Sequence, residues 1–334
     1  MTDALSDRLD DVPDARVVAF PDGSVDTYYR VRAGAGGYLD SRERFGAAVG
    51  DGSATSFSLD RQDRESGGQA VNMAKQAHAL DARVSLFGHL DDPAFDDLPF
   101  DAASMGDPAD VSVLSFEDES VVLAERPSET SDWSLADLRA TAGGLDAVLD
   151  ADAVCCGNWV SFPGLTDALA ELGSLDADGV FVLDPGDLTN ADGDALAALW
   201  DALADLEAAF DVVVSVDPDE ASALSAAFDA ADGADGLADL RARADLSGVV
   251  SHGEEQAVAA TRDGVRTVES YRVRSAERTT GAGDRFSAGL AVGLGVGWEW
   301  EVSLALANAC ASYFVGNVET GDRESLREFV AARR

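Results

Sequence analysis

The chain has 334 residues, 46% of them hydrophobic, and sets 63 acidic residues against 24 basic ones for a formal charge of −39. That field repels nucleic acid and anionic membranes and argues against both as partners. No apolar run approaches the roughly 18 residues of a membrane span, and the acidic opening MTDALSDRLDDVPDAR lacks the apolar core of a secretory signal, so the expectation is a cytoplasmic protein. The three cysteines, Cys155, Cys156 and Cys310, have no CxxC metal spacing and read as buried free thiols in a reducing compartment. Lys75 is the single lysine, and no Lys or Arg occurs between Arg139 and Arg241. The acid is spread among apolar runs rather than blocked into a tail. This points to a folded protein of an extreme halophile, where the Debye length falls to about 3 Å or less.

In chain order, apolar β-rich runs alternate with helical patterns. The runs are Ala15–Phe20, Ala82–Gly88, Ala153–Cys156, Gly179–Leu183, Val212–Val216 and Gly248–Ser251. Between them lie the amphipathic or Ala-rich stretches Ala70–Leu80, Leu135–Leu149, Gly164–Leu172, Leu196–Phe210, Pro218–Asp229 and Leu237–Ala244. This alternation predicts an α/β fold, a doubly wound, mostly parallel sheet covered on both faces. Two segments, about 26–60 and 110–126, break the pattern. The first holds short alternating runs (Asp26–Val31, Ala54–Leu59) and a Gly-rich turn at Gly34–Gly37; the second reads as Val111–Phe116 and Ser120–Ala124 joined at Glu117–Glu119. Both predict antiparallel β elements inserted into one domain spanning 1–334, forming a small β lid that excludes water from a site below.

The strongest chemical signal is Thr279-Thr280-Gly281-Ala282-Gly283-Asp284, followed by a helical pattern. Small residues there let backbone N–H groups approach an anion at a helix N-terminus. Asp284, beside that anion site, could accept a proton from an attacking hydroxyl; equally, it could be a plain N-cap. A dinucleotide fingerprint fails at Phe286, where a third glycine is needed, and no GxxxxGK[ST] loop exists. A second Gly-rich point, Ser66-Gly67-Gly68-Gln69-Ala70-Val71-Asn72, leads into a helix whose first turn would carry the Asn72 amide.

These two elements, in this order, resemble those of the ribokinase-like (PfkB) carbohydrate kinases, and the similarity runs from about residue 15 to about residue 330. The resemblance implies a sugar kinase that moves the terminal phosphoryl group of ATP, with ADP as donor left open, to a sugar hydroxyl with the help of Mg²⁺. Position by position, it makes Asp284 the base and Gly281, Ala282 and Gly283 the anion hole. Asp26, Gly67, Gly68 and Asn72 would hold the sugar. Ser251 and Gly253 (in Ser251-His252-Gly253), Thr280 and Asn308 would line the nucleotide site, and Asp217 and Glu220 (in Asp217-Pro218-Asp219-Glu220) would organise the metal. The bland reading of Asp217 and Glu220 is a helix start, that of His252 a packed turn residue, and that of the Tyr28-Tyr29 pair lid packing. A nucleoside kinase of the same fold and a non-catalytic ligand-binding relative remain alternatives, and exposed lid edges allow a homodimer through the lid.

Three positions depart from the family pattern. Arg278 stands where the family has an aspartate that often helps bind a monovalent cation, and could contact a phosphate instead. Asp217 replaces an asparagine. Gly88-His89-Leu90-Asp91-Asp92-Pro93 replaces a Gly-x-Asp-x-x-Gly turn.

Overall fold

The computed structural model describes residues 2–10, 14–33, 37–52, 54–117, 120–125, 127–274, 276 and 278–333. Its strands are β1 (Arg16–Phe20), β2 (Ser24–Ala33), β3 (Phe57–Gly67), β4 (Arg83–Gly88), β5 (Asp101–Ser104), β6 (Ala109–Ser115), β7 (Ser120–Ala124), β8 (Ala153–Gly157), β9 (Val180–Asp184), β10 (Asp211–Val216), β11 (Gly248–His252), β12 (Gln256–Thr261) and β13 (Gly264–Glu269). Nine of them make one sheet in the order β13-β12-β11-β10-β9-β8-β1-β4-β5. From β11 to β5 every pairing is parallel, while β12 and β13 continue the sheet as an antiparallel hairpin.

All the predicted apolar runs lie in this sheet. They are continuous rather than alternating because both faces are covered; every residue of β8 and β9 is buried. One face packs against helices Gln69–Ala79, Ala282–Gly295 and Trp300–Asn317, the other against Leu165–Leu172, Gly193–Leu206 and Gly233–Arg243. The helix predicted across Leu135–Leu149 is interrupted at Gly143-Gly144 and becomes Leu135–Ala142 and Asp146–Leu149.

The smaller sheet, β3-β2-β6-β7, is built from two excursions out of the main sheet, β2 and β3 between β1 and β4, and β6 and β7 between β5 and β8. β2 pairs antiparallel with β3 and parallel with β6, and β7 closes a hairpin with β6. β3 runs to Gly67, well past the predicted Leu59, because its charged stretch Asp60–Ser66 has no apolar alternation to reveal it. An unpredicted helix, Arg42–Gly50, is N-capped by Ser41 and brings Phe45 to 5.1 Å from Phe57 and 5.6 Å from Phe116. With Val31, Leu39 and Leu114 these rings form a small core belonging to the lid alone. Parts of the turns predicted at Gly34–Gly37 and Glu117–Glu119 lie outside the described residues.

β1 lies between β8 and β4, and the chain winds away from it in both directions. The carboxyl ends of β1 and β8 therefore form a topological switch point, the crevice where open α/β sheets bind ligands.

Candidate active site

The residues after the carboxyl ends of the parallel strands converge beneath the lid. Asp22 follows β1, Asn158 follows β8, Asp184 ends β9, Asp217 follows β10, and His252-Gly253 closes β11. Asp22 is buried and caps the helix Gln69–Ala79, accepting the N–H groups of Gln69 (3.0 Å) and Ala70 (2.7 Å) together with the Asn158 amide (3.1 Å). The same helix starts at Gly68, and on its first turn Asn72 donates to Asp284 Oδ2 at 2.8 Å. The two glycine-rich elements thus meet side chain to side chain.

Asp284 is not the N-cap of its helix. Gly281 is, with φ 88°, a left-handed conformation that glycine adopts without cost. This sets Asp284 on the first turn, 7% exposed, with its carboxylate turned inward to Asn72. Gly283 lies against the His252 ring, which in turn packs on Phe286 at 4.5 Å between centroids. Burial pushes the His252 imidazole down to about 4, so it is neutral near pH 7 and fits the packing role better than proton transfer.

On the lid side, β2 presents Asp26, which accepts Ser24 Oγ at 2.6 Å. Gly67 on β3 is where the chain passes closest to it: a Cβ there would overlap the Asp26 carboxylate. Asp26 pairs across the sheet with Glu65, so both point to the same face. Arg278 joins that face to the approach of the Asp284 helix. It forms an ion pair with Glu65 at 2.6 Å, donates to the Tyr28 hydroxyl and stacks on the Tyr28 ring. Its Nη atoms are therefore engaged by the lid, and Tyr28 fastens the lid as well as packing it.

The floor of the crevice concentrates negative charge. Desolvation is the largest influence on each acid there and pushes it up: Asp22 to about 6, Asp184 to about 7, and Asp26 and Asp284 in the same direction. The Asp284 charge raises the other three further, which places all four in one electrostatic group. Asp184 is held by Gln69 Nε2 (2.7 Å) and Ser287 Oγ (3.1 Å), and the Ser287 and Ser215 hydroxyls lie 2.9 Å apart, so Ser287 can accept from Ser215 while it donates to Asp184. Sequence reading did not single out Asp22, Gln69 or Asp184. The available signal was positional: a polar residue just after an apolar parallel strand.

Asp217 and Glu220 carry the capping role outright. Asp217 accepts the Glu220 N–H and Glu220 accepts the Asp217 N–H, both at 2.8 Å, in a reciprocal box. Glu220 is also pushed up to about 8, by burial and then by Asp184, so one end of this cap borders the acidic floor. Ser251 sits in β11 beside Val216 of β10, and Gly253 lies against Pro218. Thr280 is exposed on the turn before Gly281. Asn308 is apart from this group: its amide donates to the Val268 (3.1 Å) and Glu269 (3.3 Å) carbonyls and accepts Ser270 Oγ (3.3 Å), fastening the end of β13 to its helix.

Among the described residues, no three His, Cys, Asp or Glu side chains form a metal cage, and no helix is long and apolar enough to cross a membrane.

Comparison with known proteins agrees with this architecture. The sequence model for prokaryotic ketohexokinase matches residues 5–332. A ketohexokinase of Haloferax volcanii is 29% identical over 327 residues, spanning 92% of this chain and 85% of that protein. Among solved structures, an adenosine kinase from Sinorhizobium meliloti superposes with a TM-score of 0.66 at 19% identity, covering 96% of this chain and 99% of that one. An Arabidopsis thaliana ribokinase complexed with ribose and ATP gives 0.63 at 18%, covering 95% and 99%. At those identities the structural likeness establishes the ribokinase fold. The chain is a sugar kinase, a phosphotransferase with an alcohol group as acceptor, and belongs to the prokaryotic ketohexokinase family.

Proposed function

We propose that the protein transfers the terminal phosphoryl group of ATP to a hydroxyl of a ketohexose, with Asp284 as general base. The observation that carries this reading is the 2.8 Å contact between Asn72 and Asp284, beneath a lid that brings Asp26 over the same crevice. The name of the Haloferax relative supports the ketohexose as acceptor.

The residues divide the work. Asp26 and Asn72 hold acceptor hydroxyls, with Gly67 and Gly68 leaving room for them. The lid excludes water, the competing acceptor. Asp284 takes the hydroxyl proton as the sugar oxygen bonds to the γ-phosphorus; the bond from that phosphorus to the β-phosphate bridging oxygen breaks, and ADP leaves. Backbone N–H groups at Gly281–Gly283, at the positive end of the helix, stabilise the charge on the transferring group. Ser251, Gly253, Thr280 and Asn308 belong to the nucleotide side, Asn308 by securing β13.

Mg²⁺ suits the donor chemistry of Asp217 and Glu220. Both offer hard oxygens, and a divalent cation would offset the burial and the Asp184 charge that push Glu220 up to about 8. The lack of a three-ligand cage among the described residues fits an ion that keeps waters and phosphate oxygens as ligands. Bound there, it would neutralise phosphate charge.

The test is nucleotide consumption in molar KCl over a panel of ketohexoses, aldoses and nucleosides, with ATP and ADP as donors. The expected result is ketohexose-dependent turnover with ATP that Asp284→Asn lowers by about 10²–10⁴-fold while nucleotide still binds. Nucleoside-dependent turnover, or full activity of the Asn variant, overturns the reading.

A further inference from the structure

The chain places a buried cation directly beside its own base. Arg285 is only 5% exposed, in a protein with 24 basic residues against 63 acidic ones. Its guanidinium folds back one turn, donates to the Gly281 carbonyl at 3.0 Å and lies over the Phe314 ring at 4.1 Å. Among the described residues, Asp284 is the one acid within ion-pair distance of it, at 4.0 Å. Its Nε is buried without a hydrogen-bond partner. The nearby cations have other duties: Lys75 donates to the Ser66 carbonyl at 2.6 Å, and Arg278 is held by Glu65 and Tyr28.

A guanidinium in this position is expensive. Desolvating a cation costs several kcal/mol, and an apolar side chain of like volume would fill the space against Phe314 at lower cost. What an apolar side chain cannot do is offset the charge of the acids around Asp284. We infer that Arg285 is a positioning residue for the phosphoryl transfer: clamped between Gly281 and Phe314, it supplies the buried positive charge that keeps the Asp284 carboxylate ionised and oriented to receive the acceptor proton. This rests on Asp284 being the base.

The surroundings of Asp284 make that charge necessary. Asp22 faces it from the end of β1, Asp26 from β2 and Asp184 from β9, all carboxylates. Gln69 and Asn72 on the helix Gln69–Ala79 contribute neutral amides, Lys75 lies further along that helix, and Arg278 approaches from the preceding loop. His252, behind Gly283, is neutral. Against burial, which raises Asp284, Arg285 is the largest opposing influence, ahead of Asn72. In turn, burial pushes Arg285 itself down only to about 10, so it stays charged across the working range.

The experiment is the pH profile of kcat with D-fructose and ATP in molar KCl, for the wild type, Arg285→Gln and Arg285→Lys. The neutral variant should move the acid limb upward by about one pH unit or more. Its turnover should fall most at the acid end and recover toward the alkaline plateau, and Arg285→Lys should lie between. The displacement should persist as KCl is raised, because a buried pair is screened far less than a surface one. An Arg285→Gln limb that coincides with wild type, or an equal loss at every pH, overturns the inference. Should Arg285→Gln lack a cooperative unfolding transition, Phe314→Leu replaces it. That variant keeps the charge but frees the guanidinium, so the limb should move in the same direction by less, and an unmoved limb overturns the inference. Asp284→Asn in the same assay separates the two readings, since its retention of turnover refutes the base itself rather than the role of Arg285.

Discussion

The same residue type meets opposite fates in the two sheets. Asp60 on the lid and Asp92 at the lid's border are pulled below the ordinary carboxylate range, Asp60 by hydrogen bonds from Tyr38 and Arg32 and Asp92, in the loop after β4, by one from Arg64 of β3. At the carboxyl ends of the main sheet, Asp22 and Asp184 are pushed up to about 6 and about 7, with desolvation the largest cause and the Asp284 charge adding to it. Asp60 and Asp92 are partly exposed, paired with arginine and shielded by solvent. Floor acids are enclosed and held mostly by amides and hydroxyls. A sequence rich in aspartate therefore carries two populations: one suits a high-salt surface, and the other is a poised, mutually repelling group around Asp284.

The sharpest way to break that contrast is at the seam between the sheets. Gly67→Ala puts a methyl group where the Asp26 carboxylate lies, so either β3 or Asp26 must move. With Asp26 in its proposed role of holding the acceptor, a displacement of about 1 Å should lower kcat/KM by roughly 10–100-fold, with a stability cost of about 1–3 kcal/mol read from denaturant unfolding. Unchanged acceptor kinetics would show that Asp26 does not touch the sugar.

An intermediate effect is expected in the pH dependence of stability. Asp184 rises from its ordinary 3.8 to about 7 in the folded protein, so the native state holds the proton more tightly than the unfolded chain. Its favourable contribution is present at low pH and is lost as pH rises through about 7. Wild type should melt at progressively lower temperature as pH rises from about 4 to about 7 in molar KCl, levelling off above that, and Asp184→Asn should flatten that slope. A slope as steep in the variant as in wild type would remove Asp184 from the coupled group.

The smallest effect belongs to the lid surface. Arg32 donates to Asp60 at 2.7 Å, but both side chains are 40% exposed. Exposed pairs contribute little and are screened by salt. Arg32→Ala should leave the melting temperature in molar KCl unchanged within error; a marked fall would mean that lid and floor acids are less different than their surroundings imply.

How much of this could be read in advance follows from how local each feature is. The buried parallel strands were legible because full burial makes them continuous apolar runs, as in Val180–Leu183 and Val212–Val216. The helix Arg42–Gly50 was not, because it has no buried residue and the ring of Phe45 is its main anchor to the lid. Asp217 and Glu220 were legible as a helix start, and the reciprocal cap bears that out. Arg278 was legible only as a departure, because its partners Tyr28 and Glu65 lie far away on the lid strands.

By itself the sequence determined the α/β alternation, the inserted lid, the two glycine-rich elements and Asp284, since each is a pattern of neighbours along the chain. Only the tertiary structure decided which charges Asp284 lives among. Its contact with Asn72 spans 212 residues. Asp22 and Asp184 join it because parallel strands end at the same edge of a sheet. Whether Arg285, the next residue along, points to solvent or back toward Asp284 was settled by the turn at Gly281 and the ring of Phe314. Electrostatic partnership depends on separation and burial in space, and neither is written in the order of the residues.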